Sequence, residues 1–421
     1  MTTERIVVVG ASLGAVSFVD RLRARGGRQR LTLIGAEAHL PYDRPPLSKQ
    51  FLADAASPPL LKPAEWYAEH EVELRLGTPA TGLRIDPLAV LVDGEPVEAD
   101  HVVIATGSRA RTLPGVAARP GLYQLRDLDD ALRLAAALDT PGRMVVLGAG
   151  FIGLEVAAAA ARRGWKTVVL EREPAPLTRV LGADVGRLAV RTHLREGVDL
   201  RCGAGVAAIL GETRVVGVRL DDGTELPADA VVVGVGATPN TEWLAGSGLA
   251  VDNGVVCDAV GRTSAPGVWA VGDVARWPNA VTGRHDRVEQ WQAARDQATI
   301  VADILSGHSA AGWTTPPYFW SDLFDAKVQF VGHCDPRARH HIVERGRKAV
   351  VVFGHDRLEG VLSISAPRAL ALGRRLLVQG SGYEDAVAWA EAALPAGSPE
   401  MARLRFRWPG RFTGLEPQEW R

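Results

Sequence analysis

Two stretches, IVVVGASLGA from Ile6 to Ala15 and MVVLGAGFIG from Met144 to Gly153, constrain the chain more than any other feature of its sequence. In the first, β-branched residues make a short buried strand and Gly10 turns it tightly. Gly14 then lets the following helix pack close, so that Ala11 to Leu13 present backbone N–H groups at a helix N-terminus. Such a turn grips a pyrophosphate, although Ser12 stands where the middle glycine is usual. The second copy carries Gly148, Gly150 and Gly153 in the corresponding places. Each turn and helix is followed by a strand ending in an acid that can hold a ribose: LTLIGAE places Glu37, and TVVLE places Glu171. Two cradles imply two dinucleotides in one chain, and that points to hydride traffic between them.

The acid of the second cradle also carries specificity. A carboxylate accepts both ribose hydroxyls and repels a 2′-phosphate, so Glu171 favours NAD over NADP. Arg172 argues the other way, because a guanidinium can pair with a phosphate. The plain alternative is that Glu171 only caps a strand end.

At 421 residues the chain has room for two or three domains, each with its own core. The formal net charge of −1 gives no global reason for a nucleic-acid partner. Cys202, Cys257 and Cys334 are far apart and form no C-x-x-C pair, which excludes an adjacent redox disulfide and a cysteine-rich metal site and suits a reducing compartment. Met1 to Arg5 lead straight into the first strand. No basic segment followed by an apolar one precedes it, and no apolar run is long enough to span a bilayer, so the expectation is an unanchored cytoplasmic protein.

Val16 to Arg25 has helical spacing and stops at Gly26-Gly27. The loop HLPYDRPPLSKQF, His39 to Phe51, combines prolines with Tyr42, Asp43, Arg44, Ser48 and Lys49, a stiffened scaffold for polar groups or a proline-rich surface connection. Val72 to Ile85 and Ala89 to Val97 read as short strands around turns at Gly77, Asp86-Pro87 and Asp93-Gly94. ADHVVIATGS, Ala99 to Ser108, reads as a buried parallel strand rejoining the first sheet. Leu128 to Leu138 predicts a helix, broken at Pro141-Gly142 before the second cradle. From Arg143 to about Leu244 the first unit's logic repeats: VVGVRLDDGTELPA crosses at Asp222-Gly223, and DAVVVGVGATPN matches ADHVVIATGS. Val288 to Leu305 predicts a long helix. From Tyr318 the period changes to short alternating strands, then a helix at Pro367 to Leu377, which argues for a separate α+β domain. The tail Pro399 to Arg421 fits no element.

Several side chains are candidates for chemistry. Asp273, in APGVWAVGDVA, can hydrogen-bond a polyol such as a ribityl chain, with an ordinary Gly-Asp turn as the rival reading. Lys49 and Glu155 make a possible pair: a cation beside a flavin N5 favours the charge that accumulates on reduction, and a carboxylate keeps that cation placed. The rival is two unrelated surface charges. Trp320, in PPYFWSD, shields a flavin ring or is plain core. RARHHIVERGRK, Arg337 to Lys348, is locally basic and either receives an acidic partner or is a solvated hairpin.

Taken together, GASLGA, LPYDRPPLSK, ATGSRARTLPG, GAGFIGLEVA, VGVGATPN, APGVWAVGDVA, RVEQWQAARDQA and PPYFWSD resemble the oxygenase-coupled NADH–ferredoxin reductases, FAD flavoproteins that feed electrons to small iron–sulfur proteins of cytochrome P450 and Rieske dioxygenase systems. The resemblance runs in order to about Leu377, and LPYDRPPLSK and FWSD carry most of it. It implies an α/β, glutathione-reductase-like fold with two Rossmann-type nucleotide-binding domains and a C-terminal α+β domain. The FAD domain would be discontinuous, 1–114 and 245–317, around an NAD domain at 115–244, with the C-terminal domain at 318–421. The implied FAD residues are Gly10, Ser12, Leu13, Gly14, Glu37, Arg44, Lys49, Ala80, Ala105, Thr106, Gly107, Arg126, Gly272, Asp273, Glu289, Gln290, Trp291 and Trp320. The implied NADH residues are Gly148, Gly150, Phe151, Ile152, Gly153 and Glu171, with Phe151 gating the nicotinamide pocket. Lys49 with Glu155 would lie beside the flavin N5, and Trp320 would cover the ring near the ferredoxin face. A helix start at Val288 to Trp291 would point its positive end at the flavin C2 carbonyl and N1.

The implied activity is transfer of electrons from NADH through FAD to a [2Fe–2S] ferredoxin that supplies an oxygenase, with no metal site, nucleic acid or membrane involved. A second reading keeps the enzyme class and changes the acceptor to rubredoxin, a quinone-like metabolite or oxygen. Oxidases and peroxidases of this fold use a reactive cysteine, and the first-domain loop has none. A third reading is an apoptosis-inducing-factor-like protein whose FAD domain serves binding more than turnover. Those proteins tend to carry targeting segments and strongly basic surfaces, which this sequence lacks.

Overall fold

The computed structural model describes residues 4–54, 58–335 and 337–394, and the tail singled out above lies outside them. The chain divides into two compact units. One comprises Met1–Asp43, Pro58–Arg109 and Ala237–Phe319, and the other Arg44–Ser57, Ala110–Gly236 and Trp320–Arg421.

The first unit is built on a five-stranded parallel sheet in the order Val268–Ala270, His101–Ile104, Arg5–Val9, Arg30–Ile34, Val72–Arg75. Its inner strands Arg5–Val9 and His101–Ile104 are nearly continuous runs of buried Val and Ile, as in a parallel sheet covered on both faces, whereas the edge strand Val72–Arg75 buries only Val72. The helices Leu13–Ala24 and Trp291–Leu305 pack against each other. Asp303 ties them together: it accepts from Arg21 at 2.7 Å and from Arg25 at 2.8 Å, and Arg21 first, then Arg25, holds its carboxyl down to about 2. The first helix ends before Gly26, which takes φ +80° as a helix stop requires. The strands Ala80–Arg84, Ala89–Val92 and Glu95–Glu98 form a small antiparallel sheet.

The second unit repeats the plan. Its parallel sheet runs Asp199–Cys202, Lys166–Glu171, Arg143–Leu147, Ala230–Val233, Leu122–Tyr123, and the hairpin strands Val206–Leu210, Gly217–Leu220 and Glu225–Pro227 stand beside it in sequence. The helix Leu128–Leu138 is capped by Asp127, which accepts from the Asp130 backbone at 2.8 Å. The unit also holds an antiparallel five-stranded sheet in the order Tyr318–Leu323, Ala326–Gly332, Leu358–Ile364, Lys348–Gly354, Arg339–Arg345, with the helices Pro367–Val378 and Tyr383–Ala393. Residues 44–54, which hold the 3-10 turn Pro45–Ser48 and the short helix Gln50–Asp54, cluster with this unit, although the sequence puts them between strands of the first.

Two expectations are corrected. The helix expected from Val288 begins at Trp291: Gln290 is its N-cap in an extended conformation (φ −141°, ψ 139°), and Glu289 is drawn into an ion pair with Arg287. Gly14 is not forced by close packing, since a Cβ there would meet Val271 Cγ2 at 3.5 Å, an ordinary contact. The stretch Arg337 to Lys348 is a hairpin strand much of whose charge is paired. Arg339 pairs with Glu384 at 2.6 Å, Arg347 meets Asp325 at 2.8 Å, and His341 and Arg345 meet Glu391 at 2.9 Å and 3.2 Å.

Candidate active site

In the first unit, three turns leave the carboxyl ends of three adjacent strands, which is where open α/β sheets hold ligands. The first follows Arg5–Val9. Gly10 takes φ +109° and donates to the Ile34 carbonyl at 2.7 Å, and a Cβ there would collide with the Ala105 carbonyl. Ser12 is the N-cap of the helix that begins at Leu13, with φ −137° and ψ −163°, extended backbone that any residue adopts, so serine replaces glycine here without strain. The second turn follows His101–Ile104. Thr106 Oγ1 donates to the Asn240 carbonyl at 2.9 Å and Asn240 Nδ2 returns a bond to the Thr106 carbonyl at 2.8 Å, fixing Ala105 to Gly107. The third follows Val268–Ala270. The Gly272 backbone donates to the fully buried Gln297 at 2.8 Å, and the neighbouring Asp273 carboxylate accepts from Ser108 at 3.4 Å.

Glu37 follows the Arg30–Ile34 strand and accepts from the Tyr42 hydroxyl at 2.5 Å. Trp291, the first residue of its helix, donates to Asp43 at 2.8 Å. Ala80 opens the Ala80–Arg84 strand and packs on the core.

In the second unit the cradle is tighter. Gly148 takes φ +98° and a Cβ on it would collide with the Gly234 carbonyl, while a Cβ on Gly153 would strike the Gly148 carbonyl. Gly150, the N-cap, faces open space, the room a phosphate needs beside the first-turn N–H groups. Glu171 closes the turn: one carboxylate oxygen accepts from the Ala149 backbone at 2.8 Å and the other from Glu173 at 2.9 Å. Phe151 and Ile152 begin the helix Phe151–Arg162, and Ile152 is 42% exposed although it is apolar. Both turns therefore have the crowded glycine that a tight dinucleotide cradle needs, Gly10 and Gly148, and the second also has open space at its N-cap, Gly150.

The same helix carries Glu155 inward. Its carboxylate is 5% exposed and meets Lys49 Nζ at 2.9 Å from one oxygen and 3.0 Å from the other. The pairing expected of Lys49 and Glu155 is therefore present. Lys49 also donates to the Pro45 carbonyl at 3.2 Å. Two hydroxyls that sequence reasoning did not place complete the group: Ser48 donates to one Glu155 oxygen and Ser321, at 2.6 Å, to the other. Ser321 sits beside Trp320 in the strand Tyr318–Leu323, and Ser48 ends the 3-10 turn Pro45–Ser48. In the sequence Ser48 stands among the polar groups of the proline-rich loop, and Ser321 is marked only by its place beside Trp320.

Arg44 Nη1 donates to the Arg126 carbonyl at 2.8 Å, and the Arg126 backbone donates to Asp130 at 3.0 Å. Burial, then the Asp127 charge, pushes the Asp130 carboxyl up. The buried His193 donates through Nε2 to the Leu154 carbonyl at 2.9 Å, next to Glu155, and its ring meets Phe324 edge-on at 4.9 Å. Burial pushes all three thiols up, Cys202 to about 11 and Cys257 and Cys334 to about 12, so none is a thiolate near neutral pH. Among the described residues no cluster of His, Cys, Asp and Glu could hold a metal ion, and no helix is long and apolar enough to cross a membrane.

Comparison with known proteins places these features. Residues 4–298 match the pyridine nucleotide-disulphide oxidoreductase family and residues 318–394 the reductase C-terminal family. The chain is 37% identical over 380 residues to the rhodocoxin reductase of Rhodococcus erythropolis, covering 88% of this chain and 89% of that protein. It is 35% identical over 383 residues to the ferredoxin–NAD(+) reductase subunit of the benzene 1,2-dioxygenase system of Pseudomonas putida, covering 89% and 92%. Among solved structures, the covalent putidaredoxin reductase–putidaredoxin complex matches with a TM-score of 0.87 at 32% identity, covering 90% of this chain and 94% of that one.

Proposed function

The chain belongs to the pyridine nucleotide-disulphide oxidoreductase family, and on that premise we propose that it is an FAD-dependent NADH–ferredoxin reductase. It would pass electrons from NADH to a [2Fe–2S] ferredoxin serving a cytochrome P450 or Rieske-type oxygenase. The observation that carries this reading is the buried Lys49–Glu155 pair, whose Glu155 lies on the helix that opens the second cradle, together with three thiols pushed up by burial. A reductase of this family that works through a thiol needs a thiolate, and none of these cysteines supplies one. That favours a one-electron protein acceptor over a peroxidase or disulfide substrate. We place the protein in the cytoplasm, which its unpaired cysteines suit.

FAD supplies the chemistry, taking two electrons as a hydride equivalent and releasing them singly. The side chains do the rest. In this proposal Gly10 to Gly14, Glu37, Ala80, Ala105 to Gly107, Gly272, Asp273 and Glu289 to Trp291 bind FAD together with Arg44, Lys49, Arg126 and Trp320. The FAD domain would comprise 1–114 and 245–317, and the domain from 318 would carry the ferredoxin face. Gly148, Gly150, Gly153 and Glu171, within 115–244, bind NADH, with Phe151 and Ile152 bordering its nicotinamide. Lys49 offers an ammonium to the negative charge that develops on reduction, and Glu155 lowers the cost of burying that ammonium.

The test is an anaerobic titration of FAD-loaded protein with NADH and with NADPH, followed by cytochrome c reduction with and without an added [2Fe–2S] ferredoxin. Bleaching at a lower concentration of NADH, and ferredoxin-dependent cytochrome reduction, are the expected results. Protein that stays colourless with FAD present, or that consumes NADH as fast with oxygen alone, would overturn the proposal.

A further inference from the structure

Glu155 is held by more than its lysine. Ser321 donates to its Oε1 at 2.6 Å, Ser48 donates to its Oε2, and Lys49 bridges both oxygens. Ser321 is fully buried, Ser48 is 8% exposed and Glu155 5%. The helix is gripped at the preceding residue as well, where the Leu154 carbonyl accepts from His193. Hydroxyl-to-carboxylate bonds are charge-assisted and strong in a dry site. Each one also spreads the carboxylate's negative charge onto a neutral dipole, so less of it cancels the ammonium beside it.

We propose that Ser321 and Ser48 are positioning residues for electron transfer: by holding Glu155 from both oxygens they fix its plane and keep Lys49's positive field available to the flavin. This rests on the reading above that Lys49 serves FAD. Two elements far apart in sequence, the turn before Lys49 and the strand that carries Trp320, thereby meet on one carboxylate. The strand that carries Trp320 thus reaches the reducing site through the very next residue.

The test uses the FAD-loaded full chain with Ser321→Ala, Ser321→Thr and Ser48→Ala. Anaerobic rapid mixing reads the limiting rate of flavin reduction and the NADH concentration at half-saturation, and spectroelectrochemistry reads the midpoint potential. Ser321→Ala is expected to slow the limiting rate about tenfold, a loss within the range for a hydrogen bond to a charged group, with half-saturation unchanged. The midpoint potential is expected to move negative by about 30 mV, the tenfold equivalent for a two-electron couple. Ser321→Thr, which keeps the hydroxyl and suits a strand, restores both. A merely structural serine would leave the potential where it is. An unchanged rate and potential in Ser321→Ala overturns the inference while leaving the proposed function intact. If that variant does not fold, Ser48→Ala applies the same criteria at the other oxygen. A wild-type protein that NADH does not reduce overturns the functional reading and this inference with it.

Discussion

Lys49 and Glu155 stand 106 residues apart in sequence and 2.9 Å apart in space, on a proline-stiffened turn and on a helix that begins with a glycine cradle. Both side chains are nearly dry, at 12% and 4% exposure, so neither charge is tolerable without the other. Glu155→Ala strands the ammonium and is expected to cost about 3–5 kcal/mol of stability. Lys49→Ala/Glu155→Ala is expected to lose less than the two single changes summed. Urea unfolding of the four proteins completes the cycle. Separately, Lys49→Ala is expected to slow flavin reduction by about 100-fold, as loss of one preorganised charge does.

Glu171 is expected to govern the choice of nicotinamide, but not cleanly. Its two oxygens already hold the Ala149 and Glu173 backbones at 2.8 Å and 2.9 Å, so Glu171→Ala removes a ribose acceptor and also loosens the turn. The expected outcome is weaker binding of both cofactors with a larger loss for NADH, so that the ratio of kcat/KM for NADH to that for NADPH falls by about tenfold or more. Steady-state kinetics with both cofactors checks it. A ratio that stays constant would remove Glu171 from the specificity assignment.

The glycines of the two cradles are expected to differ in tolerance. Gly148→Ala places a methyl against the Gly234 carbonyl at a left-handed φ of 98°, whereas Gly14→Ala meets only Val271 Cγ2 at 3.5 Å. Strain of this kind costs about 1–3 kcal/mol before any clash is counted. Thermal unfolding of Gly148→Ala is expected to fall by several degrees, and that of Gly14→Ala to stay within about one degree or rise slightly, since alanine is the better helix former.

Thiol chemistry is expected to be silent. With the Cys202 thiol pushed up to about 11 and those of Cys257 and Cys334 to about 12, the thiolate fraction at pH 7.5 is negligible. Iodoacetamide at that pH is expected to leave NADH-driven ferredoxin reduction unchanged. Rapid inactivation would reopen a cysteine-based mechanism.

The parallel sheets and the cradles were legible because their causes are local: a run of β-branched residues, a glycine that must take positive φ at Gly10 or Gly148, and an acid at the next strand's end. The crossing at Asp222-Gly223 was legible for the same reason, with Gly223 at φ +85° and the Asp222 side chain accepting from Thr224. The meeting of Ser48 and Ser321 on Glu155 was not legible, although Ser48 stood among the loop's polar groups, because a serine does not signal its partner until a distant carboxylate arrives beside it. The start of the Trp291 helix was misplaced for a related reason. Val288 to Gln290 contains no Gly or Pro to stop a helix, and the ion pair of Glu289 with Arg287 and an extended Gln290 decide it instead. The second C-terminal helix, Tyr383–Ala393, went unread because its buried face rests on small residues such as Ala386 and Ala390, a weak periodic signal.

His193 makes stability respond to mild acid. Burial pushes its imidazole down to about 4 from the ordinary 6.5, against a smaller opposing pull from the Leu154 carbonyl it bonds. The folded state therefore binds this proton less readily than the unfolded chain does. Between about pH 6.5 and pH 4 the unfolded state takes up the proton and the native state does not, so the stability that a neutral His193 contributes is fully present above 6.5. It drains as pH falls through that window and levels off below about 4. A depression of this size corresponds to about 3 kcal/mol across the whole window. Asp303, held down at about 2 by Arg21 and Arg25, contributes stability that is present above the ordinary aspartate range and lost only as pH falls towards 2, so its loss lies at more acid pH. Urea midpoints of wild type and His193→Gln between pH 8 and pH 4.5 separate the two. The wild-type midpoint is expected to fall steeply below pH 6.5, while the variant, lower at pH 8, is expected to change much less over the same range. Parallel curves for the two proteins would mean that His193 takes up its proton in the folded state as easily as in the unfolded one, and that burial does not hold it neutral.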